Sequence, residues 1–174
     1  VDAIVHLVRC FEDSNIIHVD GKVDPLRDIE TINLELIFAD LEVLEKRILR
    51  TEKAMKGDKT LKDELDILMR IKEGLENGIS ARAIPLTSEE KEKIKDVELL
   101  SMKPVIYVAN ISEDMIGGDF ENSETYKKLS DLAKSEGAEL ISICAQIEAE
   151  LAELDGDDKK AFLADLGIEE SGLD

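Results

Sequence analysis

The sequence predicts an α/β fold: a parallel sheet with crossover helices, interrupted by an inserted antiparallel helical coiled-coil hairpin. Three observations carry this. Short apolar runs alternate with helical stretches from residue 103 to residue 166. The run Asp2-Ala3-Ile4-Val5-His6-Leu7-Val8-Arg9-Cys10-Phe11 is too continuously apolar for a half-exposed strand and fits one covered on both faces. Between them, two stretches place apolar residues at alternating gaps of four and three, the spacing of a coiled-coil seam.

In chain order, His6 sits within the first strand and reads as structural, since no second ligand or nucleophile is spaced to use it. Ile16-Ile17-His18-Val19 reads as a short extended stretch ending at a turn on Asp20-Gly21, and His18 with Asp13 reads as loop chemistry rather than a site. Asp24-Pro25 opens a long helix: Asp24 caps it, Pro25 suits its first position, and Asp28 and Glu30 lie near its positive end. Its seam is Ile37, Leu41, Leu44, Ile48, Thr51 and Met55. After Gly57-Asp58-Lys59 a second helix repeats the seam at Leu61, Leu65, Leu68, Lys72, Leu75 and Ile79. Arms of about 20 to 30 residues would each be about 30 to 45 Å long, which sets the tip at Gly57 far from the sheet. Such a hairpin is either a lever that binds a partner or a buttress for the rest of the domain.

A further helix starts at Ser88-Glu89-Glu90-Lys91 and runs through Ile94, Val97 and Leu100 before Pro104 ends it. Then follow a strand at 103–109, a helix at 124–136, a strand at 138–144, a helix at 147–154 and a helix at 157–166 closed by Gly167. The expected partition is 1–35 for the first strand and the start of the long helix, 36–85 for the hairpin, and 86–174 for the rest of the α/β region.

Composition narrows the function. With 174 residues, 43% hydrophobic content, 3% aromatics and no Trp, the core must be aliphatic. A formal charge of −19 works against contact with a phosphate backbone, so no direct nucleic-acid site is expected. Lys46, Arg47, Arg50, Lys53 and Lys56 interleave with Glu42, Glu45 and Glu52, which reads as a solvated face laced with ion pairs. Cys10 and Cys144 lie in apolar runs without metal-ligand neighbours and read as buried thiols in a reducing compartment. No segment approaches the ~18 apolar residues of a membrane span, so no membrane partner and a cytoplasmic location are expected.

One motif carries chemistry. Asn110-Ile111-Ser112-Glu113 ends an apolar strand, where open parallel sheets bind ligands, and an Asn-x-x-Asp/Glu tetrad there reads a purine in GTPase-like domains. The next strand ends in Ser142-Ile143-Cys144-Ala145-Gln146, a second loop of base-binding character. The phosphate end is missing: Gly57-Asp58-Lys59-Thr60 is the nearest string to a phosphate loop and fails, because Asp separates Gly from Lys and no glycine lies five residues before. The chain starts at Val1 directly in a strand-like run, and reads as a fragment that begins partway through a domain.

Taken together these residues resemble the Obg-like ATPase family, also called YchF, within the translation-factor class of P-loop NTPases. The resemblance spans the strand at 2–11, Val23-Asp24-Pro25 with Asp28-Ile29, the helical insertion, Asn110-Ile111-Ser112-Glu113, Cys144-Ala145-Gln146-Ile147-Glu148 and Leu166-Gly167. It implies a domain like that of the G proteins that binds and hydrolyses ATP, with the ribosome as partner. It also implies that the phosphate-loop segment precedes Val1 and that a TGS domain follows Asp174. Mg²⁺ is expected only with the former, no catalytic residue falls within the chain, and the chain alone is expected to be inactive.

By the same resemblance Asn110 takes the purine edge, Ile111 packs on the ring, Glu113 replaces the guanine-reading Asp, and Cys144, Ala145 and Gln146 close the other side. ATP is what the resemblance implies: adenine lacks the N1–H and 2-amino donors that the guanine-reading Asp accepts, and an ionised Glu113, acceptor-only, could meet its 6-amino group but not its N1; GTP stays open because Asn110 serves either purine. With its neighbour absent, the strand edge at residues 2–10 would be exposed, so the expectation is either that the preceding portion covers it or that another copy does. The other reading is a non-enzymatic interaction module that works through the hairpin.

Overall fold

In the computed structural model, which describes residues 1–12 and 22–172, two compact units are formed: Val1–Ile4 with Glu30–Pro104, and Val5–Ile29 with Val105–Asp174. The expectations for residues 16–21 and for Asp13 and His18 lie outside the described residues.

The long helix α1 (Pro25–Met55) starts where Asp24 accepts the Arg27 N–H on its carboxylate at 3.2 Å, as its cap role requires. Along it Ile37, Leu44, Ile48 and Thr51 are buried. At the tip, the Asp58 carboxylate accepts from Thr60 N at 3.0 Å and from Thr60 Oγ1 at 2.6 Å, which starts a 3₁₀ turn (Lys59–Leu61) leading into α2 (Lys62–Glu76). The arms are unequal: α1 has 31 residues and α2 has 15, about 46 and 22 Å at 1.5 Å per residue.

The second seam differs from the expected one. Leu68 and Leu75 are buried, but so are Ile67 and Ile71, while Ile79 lies past the end of α2 and is 45% exposed. The buried face of α2 is wide because it meets more than α1. Ala81, Ile84, Ile94, Val97 and Leu99 belong to the same hydrophobic cluster as Ile37, Leu44, Leu68 and Ile71. Lys72, at the polar seam position, reaches Glu45 at 3.3 Å and Glu76 at 3.7 Å.

The helix expected from Ser88 to Leu100 stops early. Helix α3 (Ser88–Lys93) opens with a capping box between Thr87 and Glu90 and ends at Ile94. A buried carboxylate organises the chain beyond the helix. Asp40, 1% exposed on α1, accepts the N–H groups of Leu100 and Ser101 at 2.7 Å each, and so caps a 3₁₀ turn (Leu100–Met102). Ser101 Oγ in turn accepts from Ala81 N at 3.0 Å. Ile94, Val97 and Leu99 then all face the core, which a continuous helix could not arrange.

The expected ion-paired face is present in part. Lys46 meets Glu42 at 2.7 Å, while Arg47 bridges Glu64 at 2.8 Å and Asp96 at 2.5 Å. The hydrogen bond from Arg47 holds the Asp96 carboxyl below its ordinary pKa, and the Asp96 and Glu64 carboxylates raise that of Arg47.

In the second unit, β2 (Val105–Asn110) and β3 (Glu139–Ile143) pair in parallel, with Ile106 opposite Glu139 and Asn110 opposite Ile143. The strand β1 (Ile4–Arg9) lies on the other side of β2, giving the order β1-β2-β3. Its direction is also parallel, since Ile4 N bonds Pro104 O and Cys10 N bonds Asn110 O. Helix α4 (Glu124–Glu136) returns the chain from β2 to β3, capped by Ser123 and closed by Gly137 at φ 64°. Helices α5 (Ala145–Ala152) and α6 (Gly156–Leu166) follow β3.

Strand β1 is covered on one face, not two. His6 and Val8 are buried, whereas Val5 is 66% and Leu7 is 55% exposed. As an edge strand it alternates with the pleat, and only the inward set meets the core. His6 has the structural place expected, its ring centroid 5.6 Å from that of Tyr107, whose hydroxyl donates to Glu136 at 2.5 Å.

Candidate functional site

Parallel strands deliver their carboxyl ends to one side of a sheet, and loops leaving those ends share a crevice. Asn110 is the last residue of β2, and its carbonyl accepts from Cys10 N at 2.9 Å. Ile111 N donates to Ile143 O at 2.8 Å. The three strand ends are thereby tied together at one level.

The side chain of Asn110 completes the tie. Its Oδ1 accepts from Ala145 N at 3.0 Å, where α5 begins. A backbone N–H can only donate, so the amide oxygen faces Ala145 and the NH₂ group is turned to donate elsewhere. The cleft at this point, about 290 Å³ in volume, is lined by Phe11, Glu12, Asn110, Ile111, Ser112, Cys144 and Gln146. Ligand clefts start at roughly 300 Å³.

Of the six residues picked from sequence, Asn110, Ile111, Cys144 and Gln146 line this cleft together. Ala145 takes part through its N–H to Asn110. Glu113 stands apart: it is exposed, opens a 3₁₀ turn (Glu113–Met115), and is not in the lining. Ile111 is only 7% exposed, so it offers the cleft an edge rather than a broad face.

Phe11, Glu12 and Ser112 join the lining without having been candidates. The signal for Phe11 and Glu12 was their position just past the end of β1, the strand adjacent to β2. Arg9 fixes this corner: its Nε donates to Phe11 O at 3.0 Å and its guanidinium lies 5.1 Å from the Phe11 ring centroid. Glu12 accepts from Val23 N at 3.3 Å.

The chemistry on offer is a flat aromatic wall, an amide donor, apolar edges and acceptors. Among the described residues no Lys or Arg lines the cleft, and no cluster of three or more His, Cys, Asp or Glu is suited to a metal ion. Such a lining suits an uncharged heteroaromatic ring better than a phosphate. Cys10, next to the cleft, is half-buried rather than buried as expected, while Cys144 is buried; desolvation, followed by the nearby Asp28 carboxylate, pushes the Cys10 thiol up to about 12, which disfavours the thiolate. Among the described residues no helix is long and apolar enough to cross a membrane.

No family model matches the chain. Curated relatives do. A protein of Bacillus subtilis named ribosome-binding ATPase YchF is 51% identical across 100% of this chain and 48% of its own length. Proteins of the same name from Haemophilus influenzae and Escherichia coli O157:H7 are 48% and 45% identical, each over 99% of this chain and 47% of their own length. Among solved structures, the YchF GTPase of Schizosaccharomyces pombe superposes with a TM-score of 0.80 at 30% identity, covering 97% of this chain and 47% of that one. The chain therefore belongs to the YchF family, and it spans about half the length of the curated relatives it matches.

Proposed function

We propose that this chain supplies the base-binding wall of the nucleotide site in a ribosome-associated YchF NTPase, with ATP as the nucleotide. One observation carries the reading: Ala145 N–H occupies Asn110 Oδ1, which commits the Asn110 NH₂ group to donate into the cleft. A purine N7 accepts such a bond, and Phe11, Ile111 and the loop at Cys144, Ala145 and Gln146 supply the apolar enclosure. The triphosphate and its Mg²⁺ call for cationic groups and a metal-binding cluster, neither of which is found among the described residues of the cleft, and no residue of this chain is assigned to hydrolysis. N7 is common to adenine and guanine. The preference for ATP therefore rests on the relatives' name, ribosome-binding ATPase, and not on Glu113, which lies exposed outside the cleft lining.

The relatives' names favour the ribosome as partner and, with it, a cytoplasmic location. Competition between ATP and GTP tests the base reading, and Asn110→Asp isolates its key group. An Asp there still accepts from Ala145 N–H but cannot donate to N7, so binding should weaken at least about tenfold while the fold persists. Equal binding by parent and Asn110→Asp contradicts it. A second reading, an interaction module, is favoured by exposed apolar side chains on α1, with Phe38 66% and Leu49 57% exposed. Co-sedimentation with ribosomes separates the two. Loss of association in Phe38→Ser/Leu49→Ser supports the module, and unchanged association makes the hairpin a buttress.

A further inference from the structure

Glu148 is a carboxylate buried on α5, 8% exposed, that the base cleft does not use. Its Oε2 accepts the Ser171 hydroxyl at 2.5 Å and its Oε1 accepts Gly172 N–H at 2.7 Å. Gly172 fits without room to spare, since a Cβ there would meet Ile143 Cγ2 at 2.6 Å and Glu148 Oε1 at 3.0 Å. The segment after α6 is thus clamped against the start of α5. Through its own backbone Glu148 also reaches the cleft, as its N–H donates to Cys144 O at 3.0 Å.

Behind the cleft lies a second cavity of about 200 Å³, and it shares Ile111 and Cys144 with the first. Ile168, Glu170 and Gly172 form part of its lining, so the clamped segment closes it. A void behind a wall gives that wall somewhere to retreat, because side chains facing it lack contacts on one side. A buried carboxylate is costly unless both oxygens are bonded. When the segment at 168–172 leaves, Glu148 must turn to water, and the first turn of α5 moves with it.

We propose that Glu148 is a positioning residue of the base site: by holding Ser171 and Gly172 it closes the cavity behind Ile111 and Cys144 and fixes the loop at Cys144, Ala145 and Gln146. The proposal rests on the base-site reading above and adds that the segment at 168–172 tunes nucleotide affinity from behind the wall.

The test is amide NMR on the 174-residue chain with adenosine as probe, comparing Glu148→Ala, Glu148→Gln and Gly172→Ala. Glu148→Ala should speed exchange of the Gly172 amide, shift the amides of Cys144, Ala145 and Gln146, and weaken adenosine about tenfold. Gly172→Ala should produce the same loop shifts with the carboxylate retained, because its Cβ would meet Ile143 Cγ2 at 2.6 Å and displace the segment. Glu148→Gln should stay within about twofold of the parent, because its oxygen can accept from Gly172 and its NH₂ can donate to Ser171 Oγ. If Glu148→Ala does not fold, judged by the amide dispersion of β2 and β3, Gly172→Ala and Ser171→Ala carry the test.

Retained protection of the Gly172 amide in Glu148→Ala, or a released segment with unmoved loop amides and parent affinity, overturns the proposal. A parent that binds no adenosine overturns the base-site reading instead, and the loop shifts then decide the positioning role alone.

Discussion

Asp40→Ala is the substitution that probes the hairpin unit most sharply. The carboxylate is 1% exposed and accepts two backbone N–H groups at 2.7 Å, those of Leu100 and the fully buried Ser101. Truncation strands both donors, each at a cost of about 1–3 kcal/mol, and leaves a small void. Relief of the carboxylate's own desolvation offsets part of this, so the net loss should be about 2–4 kcal/mol. Asp40→Asn should lose somewhat less, about 1.5–3 kcal/mol, since its oxygen serves one donor while its NH₂ opposes the other. Urea denaturation followed by far-UV circular dichroism measures both, and an unchanged m-value would confirm that stability rather than the unfolded state has moved. Ser101→Ala should couple to Asp40→Ala, because Ser101 joins Asp40 to Ala81 N in one chain of bonds. A loss under about 0.5 kcal/mol for Asp40→Ala would refute the claim that this carboxylate holds the 3₁₀ turn.

Leu68 is fully buried between the arms, and Leu68→Ala should cost about 2–5 kcal/mol in the same denaturation experiment; a loss below 1 kcal/mol would show that the arms pack loosely. Cys10, with its thiol at about 12 against an ordinary 9.0, should react with iodoacetamide at pH 8 roughly a hundredfold to a thousandfold slower than an exposed cysteine. Its stabilising share is complete below pH 9.0 and is lost as pH rises toward 12; labelling at the rate of free cysteine would contradict its burial. Asp96, held low by Arg47, contributes stability that is present above the unfolded carboxyl pKa and lost as pH falls through the folded one. Arg47→Gln should therefore flatten the fall in stability as pH drops through and below the ordinary Asp value of 3.8, and an unaltered acid profile would remove that ion pair from the account.

Local signals were the readable ones. Asp24 and Pro25 announced α1, and Ile37, Leu44 and Ile48 marked the first arm's buried stripe, because caps and periodicity act within a turn or two of the chain. The strand-end position of Asn110 was likewise legible from the apolar run before it. What failed was decided at a distance. The turn at Leu100, where a continued helix was expected, is held by Asp40 through a bond of sequence separation 60. The wide buried face of α2, with Ile67 and Ile71 inside and Ile79 out, follows from a third segment that the heptad pattern cannot announce. Phe11 and Glu12 belong to the cleft only because β1 lies beside β2 in parallel, a pairing fixed by topology. Glu113 matched the tetrad's spacing, yet the 3₁₀ turn that it opens leaves it exposed outside the cleft lining.

The central claim is that the NH₂ group of Asn110 donates to a purine at the ends of β1, β2 and β3. The direct measurement is the ¹⁵N–¹H spectrum of that side-chain amide as adenosine is added. Binding at the cleft should shift the two Asn110 NH₂ resonances together with the amides of Ile111 and Ala145, and Asn110→Asp should abolish the response at Ile111. Adenosine that shifts resonances elsewhere while those of Asn110 stay fixed would contradict the account.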